Sequence, residues 1–577
     1  MTAPDYITSP VFADASELDA VTLEIILSGL RSVADETYIA LMKSAFSTNI
    51  KERNDHSTAL IDPKGRMISL CERSQPIHLS SMLGLTGALL RKYPLDAFRP
   101  GDVFISNDPY VADGSHLPDV NFSMPVFVDG KLLCFMCNIA HHADIGGMAP
   151  GSMSGGMTEI YQEGLRIPPV RLLTDYRVNE DIFDLVLLNA RVPEERRGDY
   201  NAQIAACRLG ERRIHELAER HGISALEQAF EQILARTYTR MTDAISQIPP
   251  GRYVFEDVMD DDGFGAMNIP IRLAVTVGDP AHEGRIQCDF EGSNPMVRGN
   301  INVPFRALQS SVVYAMRALL DPNIPSNQGM LDAIEIEAPE GSMLRAAFPA
   351  AVAGRANTCQ RVIDVVLGAL APALPDKAVG AANGANTMVV FSGRDPETGK
   401  DYVYLETVGG GFGGRAAKDG KDGVQVHLIN TSNLPVEAIE TEYPLLVESY
   451  EFVENSGGAG MYRGGLGLRR TIRPVGHTAV FTGQGERFLN APWGVFGGAE
   501  GGKGGFFLDS DAGRQPMDTK PGLTGVSPEQ AVTVETAGAG GYGAPEQRDA
   551  LAIEGDRTSG KYTADYLRAH YPQVKEA

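Results

Sequence analysis

The segment at residues 107–119, NDPYVADGSHLPD, combines side chains that can bind metals or move protons. His116 and Asp119 lie three residues apart around a proline, and Asp108 and Asp113 precede them. Pro118 excludes an ordinary helix interior, because proline lacks an N–H and clashes with the preceding turn. The segment is therefore predicted to be a loop after a strand, where proteins commonly display functional groups.

A second group of such side chains follows the apolar run KLLCFMCNIA, in the residues HHAD. Two neighbouring strand ends can bring His116, Asp119 and either His141 or His142 together. Two imidazoles with one or two carboxylates suit zinc, manganese or iron. Adjacent strand residues face opposite sides, so the two histidines are not both expected on one ion. The remaining histidine, or Asp144, could orient a ligand or transfer a proton. The alternative is a set of turn caps and ordinary loop histidines.

Two neighbouring segments also carry titratable groups. Residues 47–62, STNIKERNDHSTALID, place Asp55 and His56 between a helix and a hairpin, and QPIHLSSM places His78 before an apolar helix. On the residues alone, the first segment is better explained as a solvated, charged helix end. The second is better explained as a helix-capping histidine.

The elements that would position these residues indicate an α+β class, with antiparallel strands, a helical block in the middle and a glycine-rich, β-rich C-terminal half. We divide the chain into an N-terminal mixed region with the metal site, a helical block and a glycine-rich α+β region, at residues 1–177, 178–250 and 251–577. The expected helices lie at residues 17–45, 79–92, 303–320, 358–371 and 562–571, with three or four more within 178–247. STALIDPKGRMISL is predicted to be a hairpin, and strands are expected to end in both metal-binding segments.

Composition limits the classes of function. The 577 residues carry 51 Lys+Arg against 74 Asp+Glu, a formal charge of -23, so nucleic acid is not an expected partner. No apolar run approaches the roughly 18 residues of a membrane span, and no secretory signal is visible, so we expect a cytoplasmic protein. Cys134 and Cys137 form a CxxC pair, but strand alternation would turn the thiols to opposite faces, which favours buried side chains over a redox or zinc site.

The glycine-rich motifs do not predict nucleotide binding. Residues 497–505, GGAEGGKGG, match GxxxxGK, but Gly504 replaces the Ser or Thr that holds magnesium. Residues 538–543, GAGGYG, fit GxGxxG, but Pro545 follows and no βαβ unit remains. In ETVGGGFGGR (406–415), glycines more plausibly let the backbone approach a ligand or another chain closely. There is no G-x-S-x-G, so covalent catalysis is unsupported, and the residues alone indicate a metalloenzyme without its own nucleotide site.

Several segments together resemble the hydantoinase B family. They include NIKERNDHSTALID, QPIHLSSM, GDVFISNDPYVADGSHLPDV, HHADIGGMAPGS, EGLRIPP, NTCQRVIDVVLGAL, ETVGGGFGGRAAKDGKDGV, PVEAIETEYPL, SGGAGMYRGGLG and GGYGAPEQRD. The resemblance runs from about residue 20 to residue 570. It departs from the family pattern at His56, where an aromatic residue is commoner, and at Asp113-Gly114-Ser115-His116, where Gly-Gly-Thr-His is usual. His56 is expected to alter the pocket and the choice of substrate.

The resemblance implies one subunit of an ATP-dependent hydrolase of cyclic amides, namely hydantoins, 5-oxoproline or lactams. The partner would be an A-type subunit that binds ATP and magnesium and phosphorylates the substrate, in a heterotetramer or larger complex. By position, a divalent zinc or manganese ion would be held by His116, Asp119 and His141, with Asp55 as fourth ligand or nearby base. Asp55, His142 or Asp144 would move protons.

Two alternatives stay open beside this interpretation. The first is a subunit of an ATP-dependent carboxylase of acetone or acetophenone type, which would use a ketone and bicarbonate. The second is a noncatalytic assembly or metal-carrier subunit.

Overall fold

A computed structural model describes residues 18–280 and 285–576 of the chain. The first half is built on a seven-stranded sheet with the order β2-β1-β5-β4-β3-β6-β7, in which all pairs are antiparallel. Its elements are α1 (Ala20–Ser44), α2 (Thr48–Lys51), β1 (His56–Ile61), β2 (Met67–Leu70), α3 (Leu79–Lys92), β3 (Val103–Ser106), β4 (Asp119–Val128), β5 (Lys131–His141), β6 (Val170–Thr174) and β7 (Arg177–Val178).

The predicted N-terminal elements are present. The helix expected over residues 17–45 is α1, and residue 17 lies outside the described residues. The helix expected over residues 79–92 is α3. The Asp19 side chain accepts hydrogen bonds from two backbone N–H groups of the first turn of α1, which defines where this helix begins. Strands β1 and β2 form the predicted hairpin.

A helical block and a second sheet follow. The block contains three helices, α4 (Glu180–Leu188), α5 (Pro193–His221) and α6 (Ile223–Ile245). The second sheet has the order β11-β10-β9-β8, with one parallel pair, β10 with β11. Its strands and the nearby helices are β8 (Gly251–Asp261), β9 (Met267–Val277), β10 (Ile286–Asp289), α7 (Phe305–Leu320), α8 (Gln328–Asp332), β11 (Ile334–Glu337) and α9 (Arg355–Leu370). Every residue of α9 is buried.

The C-terminal part contains two further antiparallel sheets, with the orders β13-β12-β16-β19 and β14-β15-β20-β17-β18. Their elements are β12 (Thr387–Arg394), β13 (Asp401–Val408), α10 (Val436–Glu442), β14 (Leu445–Phe452), β15 (Leu468–Pro474), β16 (Ala479–Gln484), β17 (Gly505–Ser510), β18 (Gly513–Pro516), β19 (Thr524–Val526), β20 (Ala531–Glu535), α11 (Ala550–Thr558) and α12 (Ala564–His570). The predicted α+β class is confirmed. The division at residues 177 and 250 stays a prediction.

The glycine-rich segments pack backbone against backbone. We call residues 380–383, 409–414, 457–467, 493–504 and 537–543 the glycine layer. In it, the Gly380 N–H donates to Gly414 O (2.9 Å), the Gly414 N–H to Gly540 O (2.9 Å) and the Gly540 N–H to Ala381 O (2.8 Å). The glycines at 406–415 are expected to let a ligand or another chain approach closely, but in the structure they contact other segments of this same chain. The backbone N–H groups of GAGGYG donate to backbone carbonyls.

The CxxC pair lies on β5 as two separate thiols. Cys134 and Cys137 are free and buried in different core clusters on the two faces of the strand, as alternation predicts. Burial raises the pKa of the Cys137 thiol to about 11. Among the described residues, no helix is both long enough and apolar enough to pass through a bilayer.

Candidate metal centre

The strand pair β4–β5 aligns the two histidine-bearing segments. Asp119 opens β4 and His141 closes β5, and the two are paired across the antiparallel register. His116 lies in the loop before β4, where its carbonyl accepts the Asp119 N–H at 3.1 Å. The turn is further fixed by the Pro118 carbonyl, which accepts the His142 N–H at 2.9 Å. Loop and strand end therefore converge at one edge of the sheet.

The structure brings His116, Asp119 and His141 into one cluster. One candidate ligand atom from each residue lies within 4.8 Å of the other two, and all three residues are buried. His116 Nε2 is 3.3 Å from Asp119 Oδ2, and the imidazole centroids of His116 and His141 are 5.0 Å apart. Of the described residues, these are the ones grouped closely enough to hold an ion.

The orientation of His116 leaves a free lone pair inside the cluster. Its Nδ1 lies 3.2 Å from the Ala353 carbonyl, which can only accept, so Nδ1 carries the proton. Nε2 is then an acceptor, and neither it nor Asp119 Oδ1 has a hydrogen-bond partner although both are buried. Buried polar atoms without partners are costly. A divalent cation would satisfy both, and the donor set of two imidazoles and one carboxylate fits zinc or manganese.

His141 is held by groups from two other segments. The Asn49 amide nitrogen donates to the His141 carbonyl (2.7 Å) and lies 3.0 Å from Nδ1, while Met153 Sδ lies 3.3 Å from Nε2. The Arg53 guanidinium donates to Asn49 Oδ1 at 2.5 Å, which fixes the orientation of that amide. A metal-bound His141 would exchange one of its ring contacts for the ion.

Arg355, the first residue of α9, sets the charge of the cluster. It donates to Asp119 Oδ2 at 2.7 Å and to Ser115 Oγ at 2.6 Å. Burial alone would raise the pKa of Asp119, but His116, His78 and Arg355 together hold it well below its usual range. Burial and Arg355 lower the pKa of His116 to about 4. At neutral pH the cluster therefore has the protonation that metal ligands need, a carboxylate and neutral imidazoles.

Asp55 and His78 adjoin this cluster. His78 Nε2 is 3.5 Å from Asp119 Oδ1 and 3.9 Å from Asp55 Oδ1, and its Nδ1 lies 2.9 Å from Ser57 Oγ. The Asp55 side chain is 14% exposed, whereas that of Asp119 is fully buried. Burial raises the pKa of Asp55 against the opposing effects of His78 and Arg53. The predicted fourth ligand is thus adjacent to the cluster but outside the group of three.

The other predicted proton carriers face away. His142 stacks on Tyr200 with centroids 4.4 Å apart, and its Nε2 lies 3.0 Å from Gln203 Oε1. Asp144 accepts from the backbone N–H groups of Gly146, Gly151 and Arg191 and forms an ion pair with Arg191 at 2.8 Å. These contacts hold both side chains within the framework of the fold, and their role in proton transfer stays a prediction.

The two remaining acids of the opening segment are also occupied elsewhere. Asp108 accepts from the backbone N–H groups of Tyr110 and Val111 and pairs with Arg166, and Asp113 pairs with Arg91. The sequence reasoning missed Asn49 and Arg355. Asn49 is the first residue of the family motif NIKERNDHSTALID, and Arg355 lies two residues before the motif NTCQRVIDVVLGAL, which was the available signal.

Glu163 holds the backbone of Ala353, whose carbonyl binds His116, and the burial of Glu163 predicts a pH effect on the stability of the protein. Its Oε1 accepts from the Val352 and Ala353 N–H groups (2.6 and 2.7 Å), and burial raises its pKa to about 8. Between the unfolded pKa near 4.5 and about 8, the folded state holds a proton that the unfolded state releases. Stability attributable to Glu163 is therefore lost as pH rises through this window, by up to about 1.4 kcal/mol per pH unit.

Thermal denaturation of the wild-type protein and of the Glu163→Gln variant from pH 5 to 8.5 tests this effect. The amide keeps the acceptor oxygen and cannot ionise, so the midpoint of the variant should fall less over the range. Parallel curves for the two proteins would contradict the prediction.

Comparison with known proteins identifies the family of this chain. The model of the Hydantoinase B/oxoprolinase family matches residues 19–545. The caprolactamase subunit beta of Pseudomonas jessenii is 30% identical over 577 residues, covering 96% of this chain and 96% of that protein. The crystal structure of ATP-dependent caprolactamase from the same organism superimposes with a TM-score of 0.90 at 27% identity, over 96% of each chain. The nucleotide-free structure of acetone carboxylase shares the fold, with a TM-score of 0.87 at 18% identity, over 96% of this chain and 79% of that one. The chain belongs to the Hydantoinase B/oxoprolinase family.

Proposed function

We propose that this chain is the metal-containing subunit of an ATP-dependent hydrolase of cyclic amides, of hydantoin, 5-oxoproline or lactam type. The observation that carries the proposal is the buried cluster of His116, Asp119 and His141, in a member of this family, with two ligand atoms that lack a hydrogen-bond partner. The caprolactamase that resembles this chain is named as an ATP-dependent enzyme with a beta subunit, which supports a two-component complex.

In the proposed centre, His116, Asp119 and His141 hold a zinc or manganese ion. When bound, such an ion acts as a Lewis acid that polarises a reacting oxygen and makes water more acidic. Arg355 keeps Asp119 ionised and fixes its orientation through the 2.7 Å contact. The carbonyl of Ala353 keeps the proton of His116 on Nδ1. Both contacts maintain the ligand set without touching the substrate.

Asp55 is the proposed proton carrier or fourth ligand. It is the acid at the cluster with some solvent exposure, and burial raises its pKa above the usual range. His78 lies between Asp55 and Asp119 and is anchored by Ser57, so it can hold both carboxylates in place.

The partner supplies the activation that this chain lacks. An unactivated amide is a poor electrophile, and the glycine motifs in this chain serve its own backbone packing. We propose an A-type subunit that binds ATP and magnesium and phosphorylates the substrate, in a heterotetramer or larger assembly.

Reconstitution tests the proposal. The purified chain, loaded with zinc or manganese, is mixed with the A-type subunit, ATP and magnesium, and offered hydantoin, 5-oxoproline, caprolactam and acetone. Hydrolysis of a cyclic amide that requires both subunits is the expected result. Incorporation of labelled bicarbonate into a ketone product would instead indicate the carboxylase activity compatible with the shared fold. The absence of any substrate-dependent turnover would favour an assembly or metal-carrier role.

A further inference from the structure

A further buried polar atom without a partner lies at the N-terminus of α9. The Gln484 side chain is 1% exposed and Asn386 is 8% exposed, and neither Gln484 Oε1 nor Asn386 Oδ1 has a hydrogen-bond donor. No side chain caps α9, a helix of 16 residues. The positive end of a helix dipole and the unpaired Gln484 acceptor thus occur at one place.

The orientation of the Gln484 amide is fixed by its neighbours. Its Nε2 donates to the Met153 carbonyl at 3.0 Å and to Asn300 Oδ1 at 3.2 Å. Both partners accept, because Asn300 uses its own nitrogen to donate to the Ser154 carbonyl at 2.8 Å. Turning the amide over would set its single oxygen against two acceptors, so Oε1 must point away from them.

Gln484 Oε1 points to the start of α9. A Cβ placed on Gly354, the residue before the helix, would lie 2.2 Å from this oxygen, so a side chain there would displace the amide. Asn386 reaches the same turn of the helix, because its N–H donates to Asn357 Oδ1 at 2.8 Å. Gln484 Oε1 therefore adjoins Gly354, and the Asn386 backbone adjoins Asn357.

Three contacts join this place to the proposed metal centre. The Ala353 carbonyl, just before the helix, binds His116, and Arg355 in the first turn binds Asp119. Met153, whose carbonyl binds Gln484, places its sulfur 3.3 Å from His141. Gln484 and the start of α9 are thus connected to the three ligands through Met153, Ala353 and Arg355.

We propose that Gln484 Oε1 accepts a hydrogen bond from the ring N–H of the substrate. This inference rests on the proposed function and deepens it, since it specifies what a substrate must carry. A lactam, a hydantoin and 5-oxoproline each offer an N–H donor to this acceptor. A ketone offers no donor and would leave Gln484 unpaired. The site therefore selects cyclic amides over ketones.

Binding by calorimetry, without ATP, tests the proposal on the metal-loaded chain in complex with its partner subunit. The probes are hydantoin, 2-pyrrolidone, N-methyl-2-pyrrolidone and cyclopentanone. A hydrogen bond to a buried, otherwise unpaired acceptor is worth about tenfold in affinity. We expect the two N–H probes to bind about tenfold or more tightly than the other two, and Gln484→Met to remove this preference.

Gln360→Met is the matched control. Gln360 is also buried, donates its Nε2 to a carbonyl (Val426, 2.9 Å) and leaves Oε1 unpaired, but it lies more than one turn further along α9. Its variant should keep the preference. Equal effects of the two variants, equal affinity of 2-pyrrolidone and its N-methyl derivative for the wild-type protein, or no binding of any probe would overturn the proposal. Because the assay needs no turnover, a preference for N–H probes would stand even if hydrolysis were not found.

Discussion

Replacing His141 with alanine is expected to abolish metal binding and ATP-dependent turnover together, whereas the same change at His142 leaves the metal bound. The two histidines are neighbours in sequence but lie on opposite sides of the end of β5: one faces His116 and Asp119, and the other stacks on Tyr200. Partners that only orient a metal ligand are worth about 10–100-fold in metal affinity, so a direct ligand must cost more. Elemental analysis after dialysis and turnover with the partner subunit measure the two effects.

His142→Ala controls for damage to the fold. It removes a buried ring and its contact with Gln203, and we expect a loss of about 1–3 kcal/mol in stability with the metal content unchanged. A His141→Ala protein that keeps a full equivalent of metal would refute the proposed ligand set. A folded His142→Ala protein without metal would show that the wrong histidine had been assigned.

The choice between these histidines depends on a feature that the sequence shows only in part. The turn Asp129-Gly130, with positive φ at both residues, is typical of a tight hairpin and makes the pairing of β4 with β5 predictable. The register is not, because it shifts by one residue at Val126/Phe127. Without this irregularity, the register that pairs Val128 with Lys131 would continue along both strands and place Asp119 opposite Ala140. His141 would then lie on the other face of the sheet.

The groups that surround the ligands were beyond prediction for another reason. Arg355 is separated by 236 residues from Asp119, and it arrives there because α9 packs into the core with its first turn against the loop before β4. No local sequence pattern around an arginine at the start of an apolar helix predicts that it will bind a carboxylate. The same holds for Asn49, whose amide meets His141 only after α2 docks on the end of β5.

For the glycine motifs, composition predicts the kind of contact but not the segments that make it. Their number predicts close backbone approach, but which segments approach each other depends on pairing between distant parts of the chain. Gly540, for example, belongs to a motif that imitates a nucleotide loop, and its N–H and carbonyl instead bond Ala381 and Gly414. Because Gly540 has no side chain, two distant segments of backbone can approach it closely.

Gly540→Ala is therefore expected to destabilise the whole protein. A Cβ at this position would lie 1.9 Å from the Trp493 carbonyl oxygen and 2.4 Å from its carbon, and backbone atoms cannot turn aside as a flexible side chain can. Overpacking against side chains costs about 1–3 kcal/mol, and a clash with the backbone of the glycine layer must cost at least the upper end of that range. The thermal midpoint and the yield of soluble protein should both fall.

Gly555→Ala makes the opposite prediction and completes the test. Gly555 lies on the exposed side of α11, where an added Cβ meets no atom within 4 Å. Alanine in a helix is favoured over glycine by about 0.8–1 kcal/mol, so this variant should be slightly more stable than the wild-type protein. If Gly540→Ala melts at the same temperature as Gly555→Ala, the glycine layer tolerates side chains, and its close packing does not explain why glycine occupies these positions.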